Sequence, residues 1–178
     1  MKLKIFKLLS VLIIFLLGFI THNGYDKFPN IITSFFFPVN ESLFEHMKMI
    51  YSSYLIYFII EYIYLKKNNI NPVNKKSNMI LSISLNIIIF LIIYLPIYYS
   101  FGHNLIVTLV VYFISILITQ IISLKILESN NELKFLNKYS YILLFLYLLI
   151  LIYFTYYPLK EDFFIDKENK KIGLNNYY

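Results

Sequence analysis

Long apolar runs alternate with short polar segments along this chain. A transmembrane helix needs about 20 mostly apolar residues, and five of the runs have roughly that length. They predict helices at about residues 3–20, 42–65, 79–99, 105–124 and 139–157, followed by a polar, surface-lying tail at residues 159–178. We therefore predict an all-α integral membrane protein in which residues 1–178 form one membrane domain.

The composition supports a membrane location and excludes several classes of site. Hydrophobic residues make up 59% of the chain and charged residues 15%, which is typical of a membrane-embedded protein. The chain lacks Cys, so disulfides, thiolate metal sites and Cys nucleophiles are excluded. It also lacks Arg, and its lysines flank the apolar runs instead of forming one patch, which argues against nucleic-acid binding. The abundance of Ile, Asn and Lys indicates AT-rich coding, so we expect a bacterial cell membrane.

The lysines also predict how the helices are oriented. The segment Gly18–His22 after the first run offers no small-residue cleavage site, so this run is predicted to be a retained helix and not a signal peptide. Lysines concentrate in cytoplasmic segments of membrane proteins. This rule places the N-terminus inside and the C-terminus outside, with these lysines on the inner side: Lys2, Lys4, Lys7, Lys66, Lys67, Lys75, Lys76, Lys125, Lys134 and Lys138.

Under this topology, polar residues collect on the outer side, most densely in residues 35–48 before and at the start of the second helix. Imidazole and carboxylate groups are suitable ligands for zinc and similar divalent metals, and they also serve as general acids and bases. We expect one outward-facing pocket, with Asn40 and Ser42 orienting its carboxylates and residues 35–37 forming an apolar lid. The metal-ligand candidates are His22, Glu41, Glu45, His46 and His103, and the catalytic candidates are Glu41, Glu45 and His46.

A purely structural interpretation explains the same residues. Ser42 and Glu45 have the spacing of a capping box, and acidic residues at a helix start complement the helix dipole. His46 and Lys48 can extend to the lipid headgroups, as long amphipathic side chains do. Glu61 lies about one turn from Lys66, which favours a carboxylate at the inner membrane surface over a buried proton relay.

One motif resembles a known family. The segment Pro38–Lys48 resembles the P-V-N-E-S-x-x-E-H-x-K hallmark of an uncharacterised family of small bacterial multi-pass membrane proteins, in which Pro38, Asn40 and Ser42 belong to the structural motif. Residues 154–158, 164–166 and 172–174 resemble the terminal pattern of that family, with Leu159 and Ile172 departing from it. The resemblance implies a multi-pass membrane architecture and no established activity.

Three functions stay open at this point. The first is a multi-pass membrane protein of unknown activity with an outward-facing His/Glu site, and the second is a membrane-embedded, metal-dependent hydrolase or other enzyme. The third is a small subunit of a transporter or membrane complex. The lipid bilayer is the expected partner, and the sequence leaves a homo-oligomer or a protein partner open. A divalent metal is the cofactor that the His/Glu pattern favours.

Overall fold

The computed structural model describes residues 2–176, and over this range the chain is mostly helical, as predicted. A short 3-10 helix and three two-residue strands follow the last α-helix. The elements are α1 (Lys2–His22), α2 (Gly24–Lys27), α3 (Ile31–Phe36), α4 (Leu43–Lys67), α5 (Lys75–Phe101), α6 (Leu105–Glu128), α7 (Lys134–Tyr156), the 3-10 helix (Asp162–Phe164), β1 (Ile165–Asp166), β2 (Lys171–Ile172) and β3 (Asn175–Asn176).

The long helices extend beyond the apolar runs that predicted them. α5 begins four residues earlier than expected, at Lys75, and α7 begins five residues earlier, at Lys134. Hydrogen bonds between the two helix starts accompany both extensions: the Asn74 side chain accepts from the Leu133 amide over 2.9 Å, and the Asn137 side chain accepts from the Ser77 amide over 3.0 Å. Backbone hydrogen bonding therefore continues into polar residues, where hydropathy alone would end the helix.

Four helices in the described range are long and apolar enough to cross a membrane: α1, α5, α6 and α7. The fifth predicted span, α4, has 25 residues and would extend about 37 Å, but it carries more polar side chains. Most of these polar groups are buried inside the bundle, as Glu45, Lys48 and Glu61 show. The low hydropathy of α4 thus reflects the polar interior of the bundle.

α4 packs antiparallel to α1 along the length of α1. The Tyr64 hydroxyl near the end of α4 donates to the Lys2 carbonyl at the start of α1 over 2.9 Å, and the Thr21 hydroxyl at the end of α1 lies 2.8 Å from the hydroxyl of Ser53, near the middle of α4. α4 also contacts α5 and α7, so it lies at the centre of the bundle. We call the end that carries residues 38–48 the motif end, and the opposite end, where α1 begins, the N-terminal end.

Glu61 lies in a buried polar network at the N-terminal end, so the prediction that its carboxylate reaches the membrane surface is wrong. Glu61 is 3% exposed and forms an ion pair with Lys7 of α1. The Tyr57 hydroxyl donates to Glu61 over 2.8 Å, and Lys7 also donates to Ser123 over 2.6 Å. Glu61 is buried because it lies on the face of α4 that packs against α1, whereas Lys66 is exposed.

The segment after α7 folds back onto the bundle, so the prediction of a surface-lying tail is wrong for its central part. β1, β2 and β3 form an antiparallel sheet in that order, with Ile165 opposite Ile172. The buried Phe164 ring stacks on Phe44 of α4, with 4.8 Å between ring centroids. Burial of Phe164 and Asp166 holds this segment at the motif end. Residues 177 and 178 of the predicted tail lie outside the described range.

Candidate metal centre at the motif end

Local hydrogen bonds shape the loop before α4. The Asn40 side chain accepts from the Ser42 amide over 2.8 Å and donates to the Gly173 carbonyl over 2.8 Å. The Ser42 hydroxyl caps α4 by accepting from the Glu45 amide over 3.3 Å. Only this half of the predicted capping box forms, because the Glu45 carboxylate accepts from the Val39 amide, 3.1 Å away. Asn40 therefore sets the loop and ties it to the C-terminal segment.

Glu45 belongs to a buried ion pair and not to the histidine cluster. Its carboxylate lies 2.5 Å from the ammonium of Lys48 and accepts from the Thr155 hydroxyl over 2.7 Å. Lys48 also donates to the Ser34 carbonyl over 2.9 Å. The prediction that Lys48 extends to the headgroups is wrong, since its side chain is fully buried. This pair joins α3, α4 and α7, which indicates a structural role.

Three of the predicted metal-ligand candidates do converge. His22 ends α1, Glu41 lies in the loop and His46 is in the first turn of α4. One Glu41 carboxylate oxygen lies 3.2 Å from His22 Nε2 and 3.6 Å from His46 Nε2. One ligand atom from each residue lies within 4.8 Å of the other two. We call these three residues the His–Glu cluster.

The tautomer of His46 follows from its second hydrogen bond. Its Nδ1 lies 2.8 Å from the Ser42 carbonyl oxygen, which can only accept, so Nδ1 carries a proton. In the neutral ring, Nε2 then directs a lone pair toward Glu41. A backbone carbonyl that orients the far nitrogen is the usual support of a metal-binding histidine.

Glu41 supplies the negative charge of the cluster. The hydrogen bond from His22 holds the pKa of the Glu41 carboxyl below its ordinary value, despite partial burial. The Glu41 amide donates to the Asp166 carboxylate over 3.0 Å, which positions the loop from the C-terminal segment. The cluster thus combines a fixed carboxylate with two imidazole rings.

The geometry fits a transition metal such as zinc. Bonds of about 2.1 Å in a tetrahedral arrangement imply ligand atoms about 3.4 Å apart, close to the distances of 3.2 and 3.6 Å that separate the Glu41 oxygen from the two histidine nitrogens. Two histidines and one glutamate are also the ligand set of several catalytic zinc sites, which keep the fourth position open for water or substrate. Small side-chain movements of His22 and His46 would complete the coordination.

His103 lies beside the cluster and is not part of it. Its Nδ1 is 2.9 Å from a Glu168 carboxylate oxygen, and both side chains are exposed. Its ring lines the same apolar cavity as His22 and His46. This placement suits proton transfer at the cavity more than a role as a metal ligand.

Asp166 is the functional residue that the sequence analysis missed. It is 1% exposed and accepts hydrogen bonds from the amides of Glu41, Glu168 and Asn169 and from the Asn169 side chain. Burial alone would raise its pKa, but these hydrogen bonds outweigh burial and the pKa is lowered. Its position within the terminal pattern 164–166 was the available signal.

The predicted aromatic lid is wrong for Phe35. Its ring packs near Tyr156 of α7, with 6.2 Å between centroids, and lines a groove on that side of the protein. The cluster instead lies between two other cavities. One is apolar, with a volume of about 150 Å³, and the other is polar, with a volume of about 160 Å³ and Pro38 in its wall.

Comparisons with known proteins identify the family and no activity. No curated protein and no solved structure matches the chain. A family model matches residues 1–174, and its description is a family of unknown function, DUF6512. This match confirms the expectation of an uncharacterised family, and the chain belongs to DUF6512.

Proposed function

We propose that the protein is a multi-pass membrane hydrolase that uses a divalent metal bound by His22, Glu41 and His46. The observation that carries this proposal is the convergence of one ligand atom from each residue within 4.8 Å. The proposal includes five spans, an inner N-terminus, and a motif end on the outer face of a bacterial cell membrane. It also treats Pro38–Lys48 as a hallmark of the family.

The packing of α4 supports five spans. The contacts of Tyr64 with Lys2 and of Thr21 with Ser53 lie near the two ends of α1, so α4 lies beside α1 over the length of α1. If α1 crosses the bilayer, α4 crosses beside it, with its polar groups paired inside the bundle. The short connections of residues 68–74 and 129–133 then lie on one side and residues 102–104 on the other.

The cluster and its neighbours supply the parts of a hydrolytic site. A divalent metal lowers the pKa of a bound water and polarises the bond to be cleaved. Ser42 holds His46 in the tautomer that presents Nε2, and Asp166 holds the loop that carries Glu41. The hydrogen bond that His103 Nδ1 donates to the Glu168 carboxylate orients the His103 ring, whose other nitrogen is then available to move a proton to the leaving group.

Metal analysis tests this proposal directly. We expect protein purified in detergent and incubated with Zn²⁺ to retain about one ion per chain after desalting. His46→Ala and Glu41→Gln should lose this ion, because each removes a ligand. His103→Asn is the matched histidine control and should keep it. Failure of the wild-type protein to bind zinc, manganese or cobalt, or unchanged metal content in His46→Ala, would contradict the proposal.

Cysteine labelling tests the orientation, and the chain contains no native Cys to interfere. Asn175 and Asn130 are exposed and lie at opposite ends of the bundle. An impermeant maleimide on intact cells should label Asn175→Cys and should label Asn130→Cys only after lysis. The reverse pattern would place the His–Glu cluster inside the cell.

A transport subunit is the second candidate, favoured by the buried network around Lys7 and Glu61. Its polar groups continue through Gln120 to Tyr54, near the middle of α4. Proton flux in proteoliposomes that is lost in Glu61→Gln, together with absence of metal-dependent hydrolysis, would favour this candidate over the hydrolase.

A further inference from the structure

We infer that the substrate is a membrane amphiphile with one apolar tail, joined to a polar headgroup by an acyl ester. This inference rests on the proposed hydrolase function and adds the class of substrate. The His–Glu cluster lies where an apolar cavity meets a polar one, and His22 and Glu41 line both. A molecule that fills both cavities would carry its ester at the cluster.

The apolar cavity has the size for the first part of a hydrocarbon tail. Its volume is about 150 Å³, and Met49, Phe90, Leu109 and Tyr112 are among its walls. An apolar cavity of about this volume in another protein binds benzene, so about six carbons fit here. A longer tail must extend beyond the cavity.

The side of the cavity shows where the remaining tail goes. Phe19 of α1 and Leu105 of α6 line the cavity, and both side chains are exposed, at 44% and 65%. They lie on helices long and apolar enough to cross a membrane, so this exposed apolar surface faces lipid. The cavity is therefore positioned to take a tail from the bilayer between α1 and α6.

The polar cavity provides the space for the headgroup. Its walls include Asp26, Asn40, Asn169 and Lys171, which offer both donors and acceptors of hydrogen bonds. Because the apolar cavity borders the cluster directly, the bond at the cluster is the first polar bond beyond the tail. In a monoacyl lipid that bond is the acyl ester.

The charges around the cluster favour a neutral ester over a phosphate monoester. A third, smaller cavity of about 40 Å³ touches Glu41 and His46, with Asp166, Lys167 and Glu168 in its wall. Together, the polar cavity and this third cavity carry four carboxylates and two ammonium groups: Asp26, Glu41, Asp166, Glu168, Lys167 and Lys171. A divalent cation would bring these formal charges to zero, which suits a neutral or zwitterionic headgroup. A phosphate dianion would instead leave the site with two negative charges that no cation compensates.

The reaction consumes one water and needs no further reactant. The water oxygen forms a bond to the ester carbonyl carbon, and the bond from that carbon to the alcohol oxygen breaks. The water loses one proton as it attacks, and the alcohol oxygen gains one; His103, placed at the cavity, can take the first proton on its Nε2 and pass it to the alcohol oxygen. The products are a fatty acid, whose tail can return to the bilayer, and a polar alcohol.

Chain-length dependence tests the substrate class on the wild-type protein. We expect the zinc-loaded protein to hydrolyse monododecanoyl glycerol with a kcat/KM about tenfold or more above that of monoacetyl glycerol, because each buried methylene favours binding. A monododecyl phosphate should not be hydrolysed. Equal rates on both esters with zinc bound, or a preference for the phosphate, would overturn the inference and leave the hydrolase proposal intact. Absence of bound metal would instead defeat the hydrolase proposal.

A cavity-filling variant gives a second test that does not depend on turnover. Leu109→Phe narrows the cavity, and Val110→Phe adds the same bulk at an exposed neighbouring position of α6. Binding of the ether analogue 1-O-dodecylglycerol, measured by calorimetry on zinc-loaded protein, should weaken about tenfold or more in Leu109→Phe and stay unchanged in Val110→Phe. Equal binding by both variants would overturn the tail assignment.

Discussion

The two ends of the bundle hold ionisable groups in contrasting arrangements. At the N-terminal end, the Lys7 ammonium lies among oxygen atoms of Tyr57, Glu61, Gln120 and Ser123, all buried. At the motif end, the His–Glu cluster directs a carboxylate oxygen and the Nε2 atoms of two histidines toward one another, with side chains 12% to 37% exposed.

The contrast lies in where the positive charge comes from. The N-terminal network contains its own cation, so its acceptors are satisfied by the chain itself. At the His–Glu cluster, the assigned tautomer leaves His46 Nε2 as an acceptor facing the Glu41 carboxylate. Two facing acceptors need a proton or a metal between them. A glutamate thus has its counter-charge within the chain at one end, and at the other it faces an imidazole nitrogen that needs a proton or a metal.

The largest expected effect comes from removing the Lys7 ammonium of the N-terminal network. Lys7→Met leaves the Glu61 carboxylate buried without its ion-pair partner, and loss of one member of such a pair costs about 3–5 kcal/mol. The free energy of unfolding of the detergent-solubilised protein should fall by this amount. The double variant Lys7→Met/Glu61→Gln should recover most of it, and equal destabilisation of both variants would mean that the network is not a charge pair.

Metal should stabilise the wild-type protein through the motif end alone. Free Zn²⁺ at 100 times its dissociation constant adds about 2.7 kcal/mol to the free energy of unfolding. The thermal midpoint should therefore rise with Zn²⁺ and return with EDTA. Glu41→Gln should lose this response, and Lys7→Met should keep it despite its lower midpoint. A response that persists in Glu41→Gln would place the metal elsewhere.

The C-terminal segment should tune metal affinity without supplying a ligand. Asn40→Ala removes the hydrogen bond to Gly173, and Asp166→Asn weakens the bond to the Glu41 amide. Loss of such support lowers metal affinity about 10- to 100-fold. Competition with a zinc chelator measures it, and Lys160→Ala, an exposed change in the same segment, serves as the control. Unchanged affinity in Asp166→Asn would mean that the segment does not position Glu41.

The smallest expected effect is on the loss of stability at acid pH. The folded-state pKa of Asp166 is lowered, so its contribution to stability is present above the ordinary pKa and is lost as the pH falls through the folded-state value. The free energy of unfolding of the metal-free protein, measured between pH 6 and about 3, should depend less on pH in Asp166→Asn than in the wild-type protein. A pH of about 3 lies below the ordinary pKa of Asp. An identical pH profile would indicate that Asp166 does not titrate with folding.

Sequence patterns alone located the long helices and the polar loop. The apolar runs predicted α1, α5, α6 and α7 because length and hydropathy are local properties of the chain. The topology predicted from the lysines places His22, Glu41 and His46 on one side of the membrane, and Glu41 and His46 lie within the Pro38–Lys48 motif. The cap of α6 is equally local, since the Asn104 side chain accepts from the Val107 amide, 3.2 Å away.

Only the tertiary structure separated the two glutamates of the motif. Glu41 and Glu45 would share a helix face if the helix began early, but α4 begins at Leu43, so helical spacing does not relate them. Glu45 pairs with Lys48 and Thr155, while Glu41 meets His22 and Asp166. Most of these partners lie far away in the chain, and no local pattern encodes which of them a side chain will meet.

The same reason explains the corrected role of Glu61. Its neighbour in sequence is the exposed Lys66, whereas its partner in space is Lys7, 54 residues earlier in the chain. Burial of a charge requires a partner at the same depth, and that depth is set by the antiparallel packing of α1 against α4. Local composition determined which segments are helices; the packing of distant segments determined which charges form buried ion pairs and which meet in the His–Glu cluster.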